Sequence, residues 1–512
     1  MRKRPIVLMV VSGVGYNERK DGNAFFQAKT RELDRIMKEN PCVRGLASGM
    51  AVGLPNGQVG NAEVGMTNIG AGRIVYQEYT RIEGELKDGS FQTNKALLAA
   101  IENCKQRDSA LHLFGLLSDG GVHSHISHLF ALLEMVKRYE LERVYLHCIL
   151  DGRDAPPMSG LDFIHKLQNK MRELGVGEIA SIHGRYYAMD RDGNYDRVKL
   201  SYQAMTNGEG VKAGNADDAV RSSYDRSETD EFMRPTVIVN GGVPVATVDD
   251  HDSVIFFNFR SDRAREITHA FCDDDFRFFK RDQKLDIVFT CFSDYDPKIE
   301  DCLVAFEKTP ITNPFGEWLY ANGLKQLRIS ESEGSAQVTW FLNGGTEEVN
   351  EGEDRFFIKS PKQTADKKPE MSAVEVCENL LRAIRSDRYD VIIADFVNAD
   401  IAGHTGVEAA AKTAIETVSR CVGRIADAIH EVDGVMFLCS DHGNIEQMID
   451  YTDGSPYTGH TANPVPFVLI NYDPTVSLRE GGCLADIVPT LIDIMEMEVP
   501  REMTGKSLLI RN

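Results

Sequence analysis

The feature that most constrains this chain is a series of short apolar runs, rich in β-branched residues, each ending in a polar cluster. "IVLMVV" (6–11) leads into Ser12-Gly13, "VYLHCIL" (144–150) into Asp151-Gly152-Arg153-Asp154, and "VIFFNF" (254–259) into Arg260-Ser261-Asp262-Arg263. "YDVIIADFVNAD" (389–400) leads into Ile401-Ala402-Gly403-His404, and "GVMFLCS" (434–440) into Asp441-His442-Gly443-Asn444. A strand apolar on both faces needs cover on both faces, as in a parallel sheet between helical layers. Helical periods lie between the runs. Within 408–432, Ile415, Val418, Val422, Ile425 and Ile429 recur at i, i+3, i+4 spacing, with Gly434 just beyond. The pattern predicts an α/β fold with a mostly parallel central sheet and chemistry at the carboxyl ends of its strands, where the polar clusters fall.

At 512 residues the chain exceeds one ordinary core. Breaks fall after the Gly-rich segment ending at Arg73, before a charged, helix-like stretch near Tyr79, and in "EKTPITNPFGEW" with Pro310 and Pro314. They divide the chain into a first part (1–76), an inserted domain (77–310) and a second part (311–512). A net charge of −21 argues against nucleic acid or an anionic membrane as partner. No run approaches the roughly 18 apolar residues of a transmembrane helix. The 6–11 run is about half the length of a secretory signal core and lacks a small-residue cleavage site, so it reads as a buried first strand. The 10 cysteines include no C-x-x-C pair and read as reduced, buried thiols in a cytoplasmic protein.

"LPNGQVGNAEVGMTNIGAGR" (54–73) carries five glycines. Glycine costs about 1 kcal/mol in a helix interior, so the segment reads as a loop shaped around something, with Ala62 at its centre.

Two constellations carry chemistry. Asp400-x-x-x-His404 is followed by Asp441-His442 at a strand end and by His460 in "TGHTANPVPF". If 400–404 is a helical turn, positions i and i+4 face the same way, as two ligands of one metal require. Carboxylate with imidazole suits manganese, zinc or iron better than calcium. The second constellation is cationic: His123 in "SDGGVHSH", Arg153 and Asp154 in "LDGRDAPP", Arg185 and Arg191 in "HGRYYAMDRDGNYDR", and Arg260 and Arg263 in "NFRSDRARE". Arginine forks grip phosphate and carboxylate, which points to a small organic phosphate. The competing reading is internal pairing with Asp154, Asp190, Asp192 and Asp262.

"GLPNGQVGNAEVG", "GLLSDGGVHSH", "LDGRD", "GRYYAMDRD", "NFRSDRARE", "PEMSA", "DIAGHTG" and "SDHGN" together resemble the cofactor-independent (2,3-bisphosphoglycerate-independent) phosphoglycerate mutases. The resemblance runs in order from near residue 5 to "EMTGKSL" near 507. It implies an alkaline-phosphatase-like α/β domain split by an inserted transferase-like α/β domain. It also implies interconversion of 3- and 2-phosphoglycerate through a phosphoserine, two manganese ions and a monomer. Asp400, His404 and His460 match the family's first metal site, and Asp441 and His442 match two ligands of the second. His123, Arg153, Asp154, Arg185, Arg191, Arg260 and Arg263 match its substrate-binding set.

The departures are equally local. The family loop reads G-N-S-E-V-G-H, with the serine as nucleophile; here the two positions hold Ala62 and Met66. The family's first strand ends in a metal-binding aspartate, here Ser12. The family pattern E-T-E-K-Y-A-H-V-T places a lysine near the phosphoryl group; here "ESEGSAQVT" puts Gly334 there and Gln337 at the histidine. Thr-Tyr-Asp near 364 has become Thr364-Ala365-Asp366. Alanine offers no nucleophilic oxygen, and a second ion left with Asp441 and His442 alone is held weakly, so one tight ion is expected. Three readings follow: a phosphoglycerate-binding protein without mutase chemistry, a mutase using Ser12 or Thr67 instead, or a hydrolase whose metal-bound water attacks a phosphoester.

Overall fold

The computed structural model describes residues 5–511. The chain divides into two compact units, one formed by residues up to Gln77 together with those from Pro310 onward, the other by Glu78–Thr309.

The first unit is built on a seven-stranded sheet in the order Glu353–Ile358, Gln326–Glu331, Val391–Phe396, Ile6–Val11, Val435–Cys439, Val465–Ile470, Cys42–Gly45. The first five run parallel. Val465–Ile470 is antiparallel to Val435–Cys439, and Cys42–Gly45 is antiparallel to Val465–Ile470. Ile6–Val11 is central and buried at every residue, as its unbroken apolar run requires. Its alternate side chains feed two cores. Val7, Met9 and Val11 pack among Ile415, Val418, Val422, Ile425 and Ile429 of the long helix Glu408–Glu431. Ile6, Leu8 and Val10 pack among Val64, Met66 and Ile69 on the other face.

Those last residues correct the reading of 54–73 as a loop throughout: Ala62–Ala71 is an α-helix of 10 residues. Asn61 caps it, its side chain accepting from Val64 N, and Gly72 ends it in the left-handed conformation. Two of its glycines are packing requirements, not turn residues. A Cβ on Gly65 would lie 2.6 Å from Asp441 O, and one on Gly70 would collide with Leu342 O. Tertiary contact overrides the local helix propensity.

The second unit holds a nine-stranded sheet in which Ser253–Phe256, Leu111–Leu116, Val144–Leu150 and Glu178–Gly184 are adjacent and parallel. A buried polar chain crosses three of these strands. His112 Nε2 meets Asp252 Oδ2 at 3.1 Å, His112 Nδ1 meets His147 Nε2 at 2.9 Å, and Ser181 Oγ stands 2.6 Å from both His147 Nδ1 and His183 Nε2. Burial pushes the His183 imidazole down to about 3 and lowers His147 as well. The unfolded chain therefore takes up protons from about pH 6.5 that the folded chain refuses until lower pH. This unit is expected to lose stability as pH falls from about 6.5 to 4, on the order of a few kcal/mol. Denaturation midpoints across that window test it. His183→Gln should flatten the slope, and a pH-independent midpoint would contradict the assignment.

The 10 cysteines are free thiols, seven of them buried. Among the described residues no helix is long and apolar enough to cross a membrane.

Candidate functional site

The polar clusters of the first unit collect at one edge of its sheet. Asp400 lies on the short helix Asn398–Gly403 that follows the Val391–Phe396 strand, and His404 caps that helix, its backbone N–H donating to Asp400 O. The i, i+4 spacing brings His404 Nε2 to 3.4 Å from Asp400 Oδ1. His460 precedes the antiparallel strand Val465–Ile470, whose start lies at the edge where the parallel strands end. Its Nε2 stands 3.4 Å from Asp400 Oδ1 and 3.0 Å from His404 Nε2. Among the described residues, Asp400, His404 and His460 form the group whose ligand atoms converge within 4.8 Å. Each imidazole is turned by its other nitrogen: His404 Nδ1 is 2.8 Å from Thr458 O, and His460 Nδ1 is 2.9 Å from Gly60 O. Nδ1–H donation to a carbonyl turns Nε2 toward Asp400, where loss of its proton frees the lone pair that metal-bound histidines use. Asn444 Nδ2 donates to Asp400 Oδ1 at 2.7 Å and orients the carboxylate.

The electrostatics show what this cluster lacks. The hydrogen bond with Asp400 pulls His404 up to about 9. Burial works against the Asp400 carboxylate, but hydrogen bonds from His404 and His460 and the charge of His442 hold it far below the ordinary range. Positive charge belongs here, and a dication supplies it.

Asp441 and His442 follow strand Val435–Cys439 and are fully buried. Neither Asp441 oxygen nor His442 Nε2 has a hydrogen-bond partner. A buried polar atom left unpaired costs about 1–3 kcal/mol, so these orphaned lone pairs fit a cation. His442 also stacks on His460, ring centroids 3.9 Å apart.

Ala62 is the first residue of the helix whose Gly65 presses on Asp441. A Cβ on Gly60, two residues earlier, would lie 3.5 Å from His442 Cβ. The Gly-rich segment is thus shaped to bring a helix N-terminus, an anion-favouring group, against the Asp441–His442 pair. The side chain displayed there is a methyl group. The two other hydroxyls considered from sequence are engaged elsewhere. Ser12 Oγ is buried and donates to Asp395 Oδ1 at 2.9 Å. Thr67 Oγ1 donates to Phe341 O at 3.2 Å. Met66 is buried in the apolar core. A Cβ on Gly334 would run into Ser330 Oγ and lie 2.7 Å from Val397 Cγ1, so a longer side chain there requires those side chains to move.

In the second unit, the four adjacent parallel strands deliver the cationic set from their carboxyl ends. His123 follows Leu111–Leu116, Arg153 and Asp154 follow Val144–Leu150, Arg185 and Arg191 follow Glu178–Gly184, and Arg260 and Arg263 follow Ser253–Phe256. Both internal pairing and available charge are present. Arg185 is buried and spans Asp151 Oδ1 (2.5 Å) and Asp154 Oδ2 (2.6 Å). Arg153 bonds Glu231 at 2.6 Å, and Arg191 and Arg260 share Asp262, each at 2.8 Å. Arg153, Arg191 and Arg260 nevertheless keep 46%, 45% and 47% of their side chains exposed. Arg263 donates to Met189 O, and its pKa is lowered by burial and by the charges of Arg191, Arg153 and Arg185. His123 is pushed down to about 4 by burial, then by Arg185 and Arg260, and is neutral at pH 7. Half-exposed guanidiniums gathered at one set of strand ends, in a chain of net −21, are groups that a phosphate or carboxylate can engage.

These roles divide in mutagenesis. Arg185→Ala would strand Asp151 and Asp154 and is expected to destabilise the unit by about 3–5 kcal/mol. Arg260→Ala, at an exposed pair, should cost less than about 1 kcal/mol. Equal denaturation midpoints for the two variants would contradict this.

Several site residues were not singled out from sequence. Asp395 sits inside an apolar run, Asp151 reads as part of a turn, and Glu231 is remote in the chain. An acidic residue within "VIIADF" was the one available signal, since an apolar strand tolerates a carboxylate only with a partner.

Fold and geometry together define an α/β protein with a candidate dication centre at the carboxyl edge of a mostly parallel sheet and a separate arginine-rich anion site. Comparison with known proteins identifies the family. The family described as BPG-independent PGAM N-terminus (iPGM_N) matches residues 82–297. The chain is 58% identical to the 2,3-bisphosphoglycerate-independent phosphoglycerate mutase of Lachnoclostridium phytofermentans, with 100% of both chains covered. It is 53% identical to the corresponding protein of Acetivibrio thermocellus, again covering 100% of both. Among solved structures, a phosphoglycerate mutase of Leishmania mexicana, studied at low cobalt concentration, matches with a TM-score of 0.62 at 29% identity, covering 100% of this chain and 98% of that one. The chain belongs to the 2,3-bisphosphoglycerate-independent phosphoglycerate mutase family.

Proposed function

We propose that this phosphoglycerate mutase-like protein keeps a metal centre and a phosphoglycerate-type anion site but has lost the phosphoserine step, so that it binds the substrate without isomerising it at an enzyme's rate. The observation that carries the reading is Ala62 at the helix N-terminus packed against Asp441 and His442. That is the position where the family pattern places its nucleophile. Asp400, His404 and His460 hold the ion, manganese by family resemblance, and a dication there supplies Lewis-acid stabilisation of a phosphoryl group. Arg153, Arg191, Arg260 and Arg263 grip phosphate and carboxylate, with neutral His123 beside them as a hydrogen-bonding partner. The resemblance also supports a monomeric, cytoplasmic protein.

Calorimetry with 3-phosphoglycerate tests the binding half. Saturable binding is expected, weakened about tenfold or more by Arg153→Ala or Arg260→Ala, because each removes a charge-assisted pair worth about 1.5–3 kcal/mol. Binding that ignores both substitutions would refute the anion site. Release of inorganic phosphate without isomerisation would favour the hydrolase instead.

A further inference from the structure

Two side chains unused by that reading, Ser12 and Asp395, lie at the ends of the next two strands, in the sheet, from the one leading into Asp441 and His442. Asp395, Val10 and Cys439 are register partners on adjacent strands and therefore share one face of the sheet. Ser12 and Asp441 follow two residues beyond Val10 and Cys439. Asp395 is fully buried, yet both its oxygens are held. Ser12 Oγ donates to Oδ1 at 2.9 Å, and the Gln337 amide nitrogen, in the orientation that satisfies its surroundings, donates to Oδ2 at 3.1 Å and to Gly334 O at 3.2 Å. The three buried carboxylates Asp395, Asp400 and Asp441 have no lysine or arginine partner among the described residues; the ion-pair partners of Asp400 and Asp441 are histidines. Both oxygens of Asp441 and Nε2 of His442 are fully buried and have no hydrogen-bond partner. Buried carboxylates and free lone pairs gathered in this way call for a cation.

We propose that the Ser12–Asp395 pair supplies the anionic component of a second dication site built on Asp441 and His442. Two neighbouring strands thereby divide a task that the family pattern gives to one aspartate at position 12. A hydroxyl whose proton is engaged by a carboxylate keeps lone pairs free as a hard oxygen donor, and the carboxylate behind it raises its basicity, as outer-shell partners of metal ligands do. Asp395 is in this sense a positioning residue. The inference rests on the reading of this edge as a metal centre, and it replaces the expectation of a single tight ion with two.

Manganese binding per chain, followed by equilibrium dialysis and by loss of the free-ion electron paramagnetic resonance signal, provides the test. The unmodified protein should take two ions. Asp395→Asn should weaken the second by about 10–100-fold, the usual loss for an outer-shell partner, and leave the first unchanged. The exchange variant Ser12→Asp/Asp395→Asn, which moves the carboxylate to the neighbouring strand, should restore it. If Asp395→Asn fails to fold, Ser12→Ala serves, with the same selective loss expected. One ion in the unmodified protein, two ions bound unchanged after Asp395→Asn or Ser12→Ala, or an exchange variant that stays at one ion would each overturn the proposal. Binding of no ion at all would instead defeat the assignment of Asp400, His404 and His460.

Discussion

Ala62→Ser, placed on the Ser12→Asp/Asp395→Asn exchange, is expected to raise phosphoglycerate isomerisation by about 10³ over the unmodified protein. The magnitude comes from two opposing terms. Loss of a serine nucleophile costs about 10⁶ in turnover in serine proteases. The restored serine would still act without a lysine at Gly334, and one missing electrostatic donor typically costs about 10²–10³. Gly334 is left unchanged in this variant, because a Cβ there would also require Ser330 Oγ and Val397 Cγ1 to move. The exchange is needed because a new aspartate at 12 would face Asp395 at the present 2.9 Å contact, where like charges force a proton onto one of them. Coupled-enzyme assays of 2-phosphoglycerate formation read the gain. A variant no faster than the unmodified protein would show that position 62 is not where the lost chemistry resided.

The second large effect is metal-linked stability. Manganese at about 100 times its Kd should stabilise the unit that carries the triad by about 2.7 kcal/mol. For a unit of this size that is a rise in unfolding temperature of roughly 5–10 °C. Asp400→Ala and His404→Ala should each remove the share of the rise that the first ion supplies, since Asp400 Oδ1 is the atom both imidazoles face and His404 Nε2 is one of two convergent lone pairs. Calorimetric scans with manganese and with chelator, on each variant, separate this loss from any intrinsic destabilisation. A metal-induced rise left undiminished by both substitutions would place the first ion elsewhere.

What the sequence disclosed followed from period and spacing. Ile6–Val11 could only be a strand buried on both faces, and it is the central strand of its sheet. The D-x-x-x-H spacing required a helical turn, which Asn398–Gly403 provides. What stayed hidden depended on contacts distant in the chain. Gly65 and Gly70 argued against a helix because propensity is local, whereas Asp441 O and Leu342 O, which need that close approach, lie hundreds of residues away. Asp395 read as one more strand residue because its partner is set by register with the 6–11 strand. Arg185 matched a substrate motif, yet its fixed partners are Asp151 and Asp154, so its charge is committed in part to holding the strand ends together.

The central claim is that the backbone displaying residue 62 is retained while the reacting oxygen is gone. Phosphorus NMR of 3-phosphoglycerate incubated with the unmodified, manganese-loaded protein tests this most directly. The account predicts that the 3-phosphoglycerate resonance persists, with 2-phosphoglycerate forming on the order of 10⁶ more slowly than with a serine-bearing relative. Equilibration of the two resonances at an ordinary enzymatic rate would contradict it.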